Sequence, residues 1–314
     1  MKAKVFIDGS EGTTGLRIHE RFSGRDDIEL LSIRPELRKD PDERRRLINA
    51  SDFTFLCLPD AAAVESVSLV ENEQVVIIDA STAHRTEEGW AYGFPELSEG
   101  HRQAIKNGKR IAVPGCHATG FISLVYPMIA GELMPADYPV SAFSLTGYSG
   151  GGKKMIASYE AEDKAKDLFA PREYALTQQH KHLKEMHRIT GLSRVPLFSP
   201  IVDDYYSGML VTVPLYTEML KEKSPAKIRE FFKEYYKGQR FIAVADEEDQ
   251  AAATGFLSGN QLSGYDGMKI YVTGNEDRVL LSAQFDNLGK GASGAAMQCM
   301  NIALGCDEAK GLNI

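Results

Sequence analysis

Lys4-Val-Phe-Ile-Asp8-Gly9-Ser10-Glu-Gly12-Thr13-Thr14-Gly15-Leu16, close to the start of the chain, reads as a buried strand, a glycine-rich turn and the opening of an amphipathic helix that continues to Phe22. Glycine at every third position lets main chain approach a pyrophosphate closely and seats it on the helix N-terminus. The spacing departs from the commoner G-x-G-x-x-G, and glycine-rich turns also form without a ligand. Its place between the first strand and the first helix is what points to a nucleotide. Gly9, Ser10, Gly12, Thr13, Thr14 and Gly15 are the expected phosphate contacts.

Working outward, the second strand (28–33) is where an acidic residue would hold the ribose of NAD, and the sequence there is Leu-Leu-Ser32-Ile-Arg34-Pro-Glu36. A hydroxyl and a guanidinium at Ser32 and Arg34 suit a 2′-phosphate better than a bare diol. NADP(H) is therefore the expected cofactor, with Glu36 on the ribose as the competing reading. Apolar runs at 52–58, 75–79 and 111–113 alternate with helical stretches at 41–49 and 61–70, the βαβ rhythm of a parallel sheet. Ligands collect at the carboxyl ends of such strands, which brings Leu58, Pro59 and the turn Asp79-Ala-Ser-Thr-Ala-His-Arg85 to the crevice. Arg85 is a candidate for an anionic substrate group, or else a surface arginine.

The run Ile111-Ala-Val-Pro-Gly-Cys116-His-Ala-Thr-Gly120 supplies the chemistry. A short strand stops at Pro114-Gly115, and Cys116 stands at the mouth of the next segment, 118–125. Unpaired N–H groups and the positive end of a helix dipole favour thiolate over thiol at such a place, and thiolate is the form that attacks carbon. A free cysteine is also readily a small buried hydrophobe, so this segment alone leaves both readings open.

Composition bounds the rest. The 314 residues suggest two domains, and 43% apolar with 25% charged residues is ordinary for a globular chain. No apolar run is long enough for a membrane span, and the start passes straight into a strand without a signal-peptide pattern, so a cytoplasmic protein is expected. Four cysteines without C-x-x-C spacing argue against a disulfide framework or a zinc site, and no metal is expected. A net charge of −8 without an extended basic patch argues against nucleic acid as a partner.

The blocks Ile7–Leu16, Leu56-Cys-Leu-Pro-Asp60, Asp79–Arg85, Tyr92-Gly-Phe-Pro-Glu-Leu97, Pro114-Gly-Cys-His-Ala-Thr-Gly120 and Asp286-Asn-Leu-Gly-Lys-Gly-Ala-Ser-Gly294 resemble, in order along nearly the whole chain, the shorter type of the N-acetyl-gamma-glutamyl-phosphate reductase family. The resemblance implies an α/β protein: a Rossmann-type parallel-sheet domain plus an α+β substrate domain with a mixed sheet, as in semialdehyde dehydrogenase and glyceraldehyde-3-phosphate dehydrogenase. It implies an NADPH-dependent acyl-phosphate reductase of arginine biosynthesis, with Cys116 as nucleophile. His117 departs from the Tyr found in many relatives, which leaves its role open.

In the second half, a strand at 140–148 leads into Ser149-Gly150-Gly-Gly-Lys153-Lys, which the resemblance places beside the active site as a substrate loop. The family's His-x-His falls on His180 and His182. His182 is the first choice for acid/base work and His180 the second, with His187 at the surface. Two histidines two apart share a side only in extended chain. Further strands are expected at 195–198, 208–215, 240–244, 269–273 and 278–285, with a helix at 225–236, a mixed sheet that by family analogy pairs across a dimer or tetramer interface. A turn at Asn287, expected near the nicotinamide, leads into a small-residue helix at 292–304. The expected domains are 1–115 with 287–314 for the dinucleotide, and 116–286 for substrate and oligomerisation. The rival readings are a reductase of another acyl phosphate such as aspartyl phosphate, a non-catalytic NADP-binding sensor, and a cysteine hydrolase.

Overall fold

The computed structural model describes residues 2–253 and 255–314, apart from the side chains of Thr13 and Ala252. The chain divides into two compact units, 1–115 with 292–312, and 116–291 with 313–314.

The first unit runs β1 (Ala3–Asp8), α1 (Thr13–Phe22), β2 (Ile28–Leu31), α2 (Pro41–Ala50), β3 (Phe53–Leu56), α3 (Asp60–Ser68), β4 (Val76–Asp79), β5 (Ala91–Tyr92), α4 (Glu99–Asn107) and β6 (Arg110–Ala112). Its strands form one parallel sheet in the order β2-β1-β3-β4-β6-β5. A parallel sheet is covered on both faces, which is why its strands are apolar throughout. Val5, Ile7, Phe55 and Ile78 pack to one side with Ile18 and Phe22, while Phe6, Leu56 and Ile77 pack to the other with Leu47, Ile48 and Ala63. From β1 the chain steps out to β2 and then returns across to β3. The order thus reverses between β1 and β3, where a doubly wound sheet opens its ligand crevice.

The second unit begins with α5 (Cys116–Ala130) and continues β7 (Ser141–Gly147), α6 (Gly152–Glu160), β8 (Arg172–Glu173), α7 (Leu183–Thr190), β9 (Leu197–Asp203), β10 (Met209–Tyr216), α8 (Pro225–Tyr235), β11 (Ile242–Val244), α9 (Glu247–Ala252), β12 (Met268–Gly274) and β13 (Arg278–Phe285). Its seven strands form a mixed sheet, β11-β12-β13-β10-β7-β9-β8. The chain then re-enters the first unit with α10 (Gly294–Leu304), whose small residues Ala295 and Ala296 are buried beside the first sheet's core. No helix among the described residues is long and apolar enough to cross a membrane.

Three expectations need correction. The return to the first unit falls at Ala292, not at 287, because Asp286 and Asn287 are tied into the second unit: Asp286 accepts from the Leu288 N–H at 2.7 Å and Asn287 accepts from the Gly208 N–H at 2.8 Å. The strand expected at 195–198 lies at Leu197–Asp203, with Pro200 inside it. Proline survives there because its missing N–H does not face β7, the strand's parallel partner.

The helix expected at 118–125 starts earlier, at Cys116, and runs on through Pro127 to Ala130. Proline at that position cannot donate to the Ser123 carbonyl. The Tyr236 hydroxyl donates to that carbonyl instead, at 2.7 Å, so no buried acceptor is left over and the helix continues.

Candidate active site

The glycine loop lies in the first unit. Gly9 has φ +88°, and a Cβ there would lie 2.4 Å from the Cys57 carbonyl oxygen at the end of β3. At Gly15 a Cβ would lie 2.4 Å from the Gly9 carbonyl oxygen, so both glycines are required by the protein's own packing. Gly12 is different. It is the N-cap of α1, makes no side-chain cap, and has no atom closer than 3.6 Å to where a Cβ would stand. Among the described residues no contact requires glycine there, whereas a phosphate seated on the first turn would. The loop therefore fits a dinucleotide.

Gly12→Ala is expected to weaken NADPH binding roughly tenfold, about 1.4 kcal/mol, while the melting temperature moves by less than about 3 °C. Fluorescence titration and thermal melting check the pair, and unchanged affinity would remove the phosphate from this turn.

Beneath the loop, Asp8 is buried and accepts from Arg44 Nε at 3.1 Å and from the Ser66 hydroxyl at 2.7 Å. A paired buried charge of this kind is costly to break from one side, and it fixes the end of β1 from which the loop springs. Ser32 and Arg34 are exposed beyond β2, the latter 3.9 Å from Glu36. Leu58 packs against Gly9, and Pro59 is exposed at the start of α3. Thr14 is half-buried in the first turn of α1, and the Thr13 side chain lies outside the described residues. Arg85 is buried, and its guanidinium donates to the main-chain carbonyls of Val113 at 2.8 Å and Ala80 at 3.3 Å. The turn that carries it is locked by Asp79, which accepts from the Ser81 N–H at 2.8 Å and pairs with His84 Nδ1 at 2.6 Å.

Cys116 lies in the second unit. Cys116 is half-buried and is the first residue of α5, a helix of 15 residues with no acidic residue in its first turn. Such a terminus stabilises a thiolate. Gly120 brings α5 hard against the mixed sheet: a Cβ would lie 2.4 Å from Val211 and 2.8 Å from Phe285. A Cβ on Gly291 would lie 2.9 Å from that of Cys116, so this side chain also has backbone packed against its side. Two of the other three cysteines differ. Burial, and then the carboxylates of Asp79 and Asp8, push the Cys57 thiol up, keeping it protonated. Cys299 is buried and donates to the Gly93 carbonyl at 3.4 Å.

Next to Cys116, His117 is buried and hydrogen-bonded at both nitrogens, 2.6 Å from the Ser144 hydroxyl and 2.6 Å from the Tyr174 hydroxyl. Burial, reinforced by His180 and Lys181, holds this imidazole well below the ordinary 6.5, so it is neutral at physiological pH and works as a hydrogen-bonding group. The Tyr174 phenol is pushed up by burial and then by the charge of Cys116. Around His117 the structure gathers His180 and His182, with ring centroids 5.4 and 5.6 Å away. The two stand 4.7 Å from each other, edge to face. They share one cluster because the chain between them is a turn: His182 caps α7 and its N–H donates to His180 Nδ1 at 3.2 Å. His187 is half-buried, one turn further along α7. Sequence reasoning missed His117, Tyr174 and Ser144; the first was flagged only as a departure from relatives, and the others carry no local signal.

Of the expected substrate loop, Gly150 and Lys153 are exposed at the start of α6, which has no side-chain cap and no acidic first turn. Ser149 and Asn287 lie deeper. They are 1% and 2% exposed, and the Asn287 amide donates to the Ser149 hydroxyl at 3.0 Å. These two side chains brace the loop from behind.

Residues 4–107 match the semialdehyde dehydrogenase NAD binding domain and residues 116–287 match the semialdehyde dehydrogenase dimerisation domain. Among solved structures, aspartate semialdehyde dehydrogenase II from Vibrio cholerae shares the fold, with a TM-score of 0.72 and 15% identity over 97% of this chain and 99% of that one. The enzyme with NADP from Candida albicans does so at a TM-score of 0.67 and 14% identity, over 96% and 98%. Closer in sequence are N-acetyl-gamma-glutamyl-phosphate reductase 2 of Nostoc sp., 46% identical over 99% of both chains, and the N-acetyl-gamma-glutamyl-phosphate reductase of Burkholderia cenocepacia, 43% identical over 97% of this chain and 98% of the relative. The chain belongs to the N-acetyl-gamma-glutamyl-phosphate reductase family of semialdehyde dehydrogenases.

Proposed function

We propose that this chain carries out the NADPH-dependent reductive dephosphorylation of N-acetyl-gamma-glutamyl phosphate to N-acetylglutamate 5-semialdehyde, a step of arginine biosynthesis, through a thioester on Cys116. The observation that carries it is Cys116 as the first residue of α5, next in sequence to the buried imidazole of His117 that packs with His180 and His182, in a chain similar end to end to reductases of that name. Cys116 thiolate attacks the acyl carbon, the C–O bond to phosphate breaks, and inorganic phosphate leaves with its electron pair. NADPH, when bound, supplies the hydride that reduces the thioester. His182 gives a proton to the resulting alkoxide, and collapse of the thiohemiacetal returns the thiolate and releases aldehyde, with His182 taking the proton back. Lys153 and the N–H groups at the start of α6 suit the phosphate leaving group, and Arg85 suits the distal carboxylate. Gly9, Ser10, Gly12, Thr13, Thr14 and Gly15 would hold the pyrophosphate, and Ser32 with Arg34 the 2′-phosphate.

The test is run in reverse: NADP reduction with N-acetylglutamate semialdehyde and phosphate, beside aspartate semialdehyde and phosphate. Turnover with the first and little with the second is expected. Preference for aspartate semialdehyde would replace the substrate, and turnover of neither would remove the reductase reading.

The same reading includes a cytoplasmic homo-oligomer. One face of the mixed sheet presents Phe143, Leu197, Tyr216 and Leu280 at 50, 66, 60 and 43% exposure, on adjoining strands whose register puts them on one side. Apolar residues in such a patch mark an interface, and the matching domain is described as a dimerisation domain. Phe143→Arg is expected to turn a dimer or tetramer into monomers in sedimentation velocity; an unchanged species would move the interface elsewhere.

A further inference from the structure

The turn that brings His180 and His182 together is held by a side chain acting as a strand. The strand β8 ends at Glu173, paired with β9 at Ile201, and the Tyr174 N–H still donates to the Pro200 carbonyl at 3.0 Å. Beyond Tyr174 the main chain leaves the sheet through Ala175 and Gln178, with φ of +53° and +56°. Left-handed backbone is unfavourable for residues with a Cβ and persists only where the surroundings impose it. Gln178 shows what imposes it here. Its Nε2 donates to the Phe198 carbonyl at 2.8 Å, and its Oε1 accepts from the Phe198 N–H at 3.0 Å. The carboxamide thus continues the ladder on β9 where the main chain has departed. Phe198 in turn presents its ring to His117 and to His180, each at a centroid distance of 5.3 Å. One residue of β9 therefore grips the turn with its backbone and packs the imidazoles with its side chain.

We propose that Gln178 is a positioning residue for the reaction: its amide pairing with Phe198 fixes the His180–His182 turn at the distance and angle that proton transfer requires. This rests on the reading that an imidazole of this cluster moves the proton. Displacement of a reacting group by about 1 Å costs on the order of 100-fold in rate, and a turn held by two hydrogen bonds to one residue is free to move that far once they are lost.

Gln178→Gly tests it, because glycine accepts the left-handed backbone while the side chain that carries the amide is removed. Ala175→Gly is the control, relieving the neighbouring strained residue without removing a side-chain bond. The wild type is assayed first with N-acetylglutamate semialdehyde, phosphate and NADP; absence of turnover there would mean failure of the proposed function, not of this inference. For Gln178→Gly we expect kcat lower by about 10- to 100-fold, with NADP affinity and the rate of Cys116 alkylation by iodoacetamide within about twofold of wild type. The imidazole resonances of His180 and His182 should shift in nitrogen-15 spectra. Ala175→Gly should leave kcat within about threefold and those resonances in place. Retention of kcat by Gln178→Gly, a loss matched by Ala175→Gly, or unshifted imidazole resonances would each overturn the role.

Discussion

Replacement of Cys116 by serine is expected to lower kcat/KM by on the order of 10⁴-fold or more, with NADPH binding intact. Serine keeps the shape of the side chain, but its hydroxyl is a far weaker acid than a thiol, and the stabilisation offered by the first turn of α5 is too small to ionise it. The glycine loop proposed to receive the dinucleotide belongs to a different unit from Cys116, so the variant is expected to separate binding from chemistry. Retention of more than about one per cent of the rate would remove the thioester from the mechanism. A companion measurement uses wild-type protein. Iodoacetamide near neutral pH should label Cys116 well ahead of Cys57, whose thiol is pushed up by burial and two carboxylates, and of Cys299, which is buried.

The second large effect concerns the histidines, and the hydrogen bonds separate them. His180 Nδ1 accepts the main-chain N–H of His182, so that nitrogen cannot take up a proton without breaking the bond that shapes the turn. His182 is thus the better group to give and regain a proton. We expect His182→Gln to lower kcat by about 10²- to 10³-fold and His180→Gln by about tenfold or less, with KM for NADPH unchanged in both. Steady-state kinetics checks the order, and a larger loss at His180 would reverse the assignment. His117 should not substitute for either, since burial keeps it neutral where the proton is moved.

Much of the first unit was legible because its signals are local. An apolar strand and glycines at every third position lie within a dozen or so residues of one another, and β1 falls where the pattern puts it, whereas α1 starts at Thr13, three residues before the expected Leu16 and inside the glycine turn. Cys116 was legible for the same reason, since Pro114-Gly115 announces the break that the helix follows. What stayed hidden depends on residues far apart in sequence. The pairing of His117 with Ser144 and Tyr174, and the rung that Gln178 adds to β9, are made across sheet and loop with no periodicity to betray them. The bonds of Asn287 were hidden for a related reason: a polar residue just before a glycine-rich turn reads as a ligand contact, and nothing local shows that its carboxamide also accepts from the Gly208 N–H and donates to the Ser149 hydroxyl inside the unit. The strand at 197–203 was displaced because a proline within an apolar run argues against a strand, and only the sheet decides which side its missing N–H faces.

Pro127 and Tyr236 carry a last consequence, for how this family's sequences can drift. The helix that begins at Cys116 is interrupted at its third turn and repaired by a phenol donated to the Ser123 carbonyl from 113 residues later in the chain. Each of the two positions is therefore conditional on the other: a phenylalanine at 236 strands an acceptor only while proline occupies 127, and an ordinary residue at 127 makes the phenol redundant. Substitutions there should travel as pairs through the lineage, although neither side chain is near enough in sequence to suggest it.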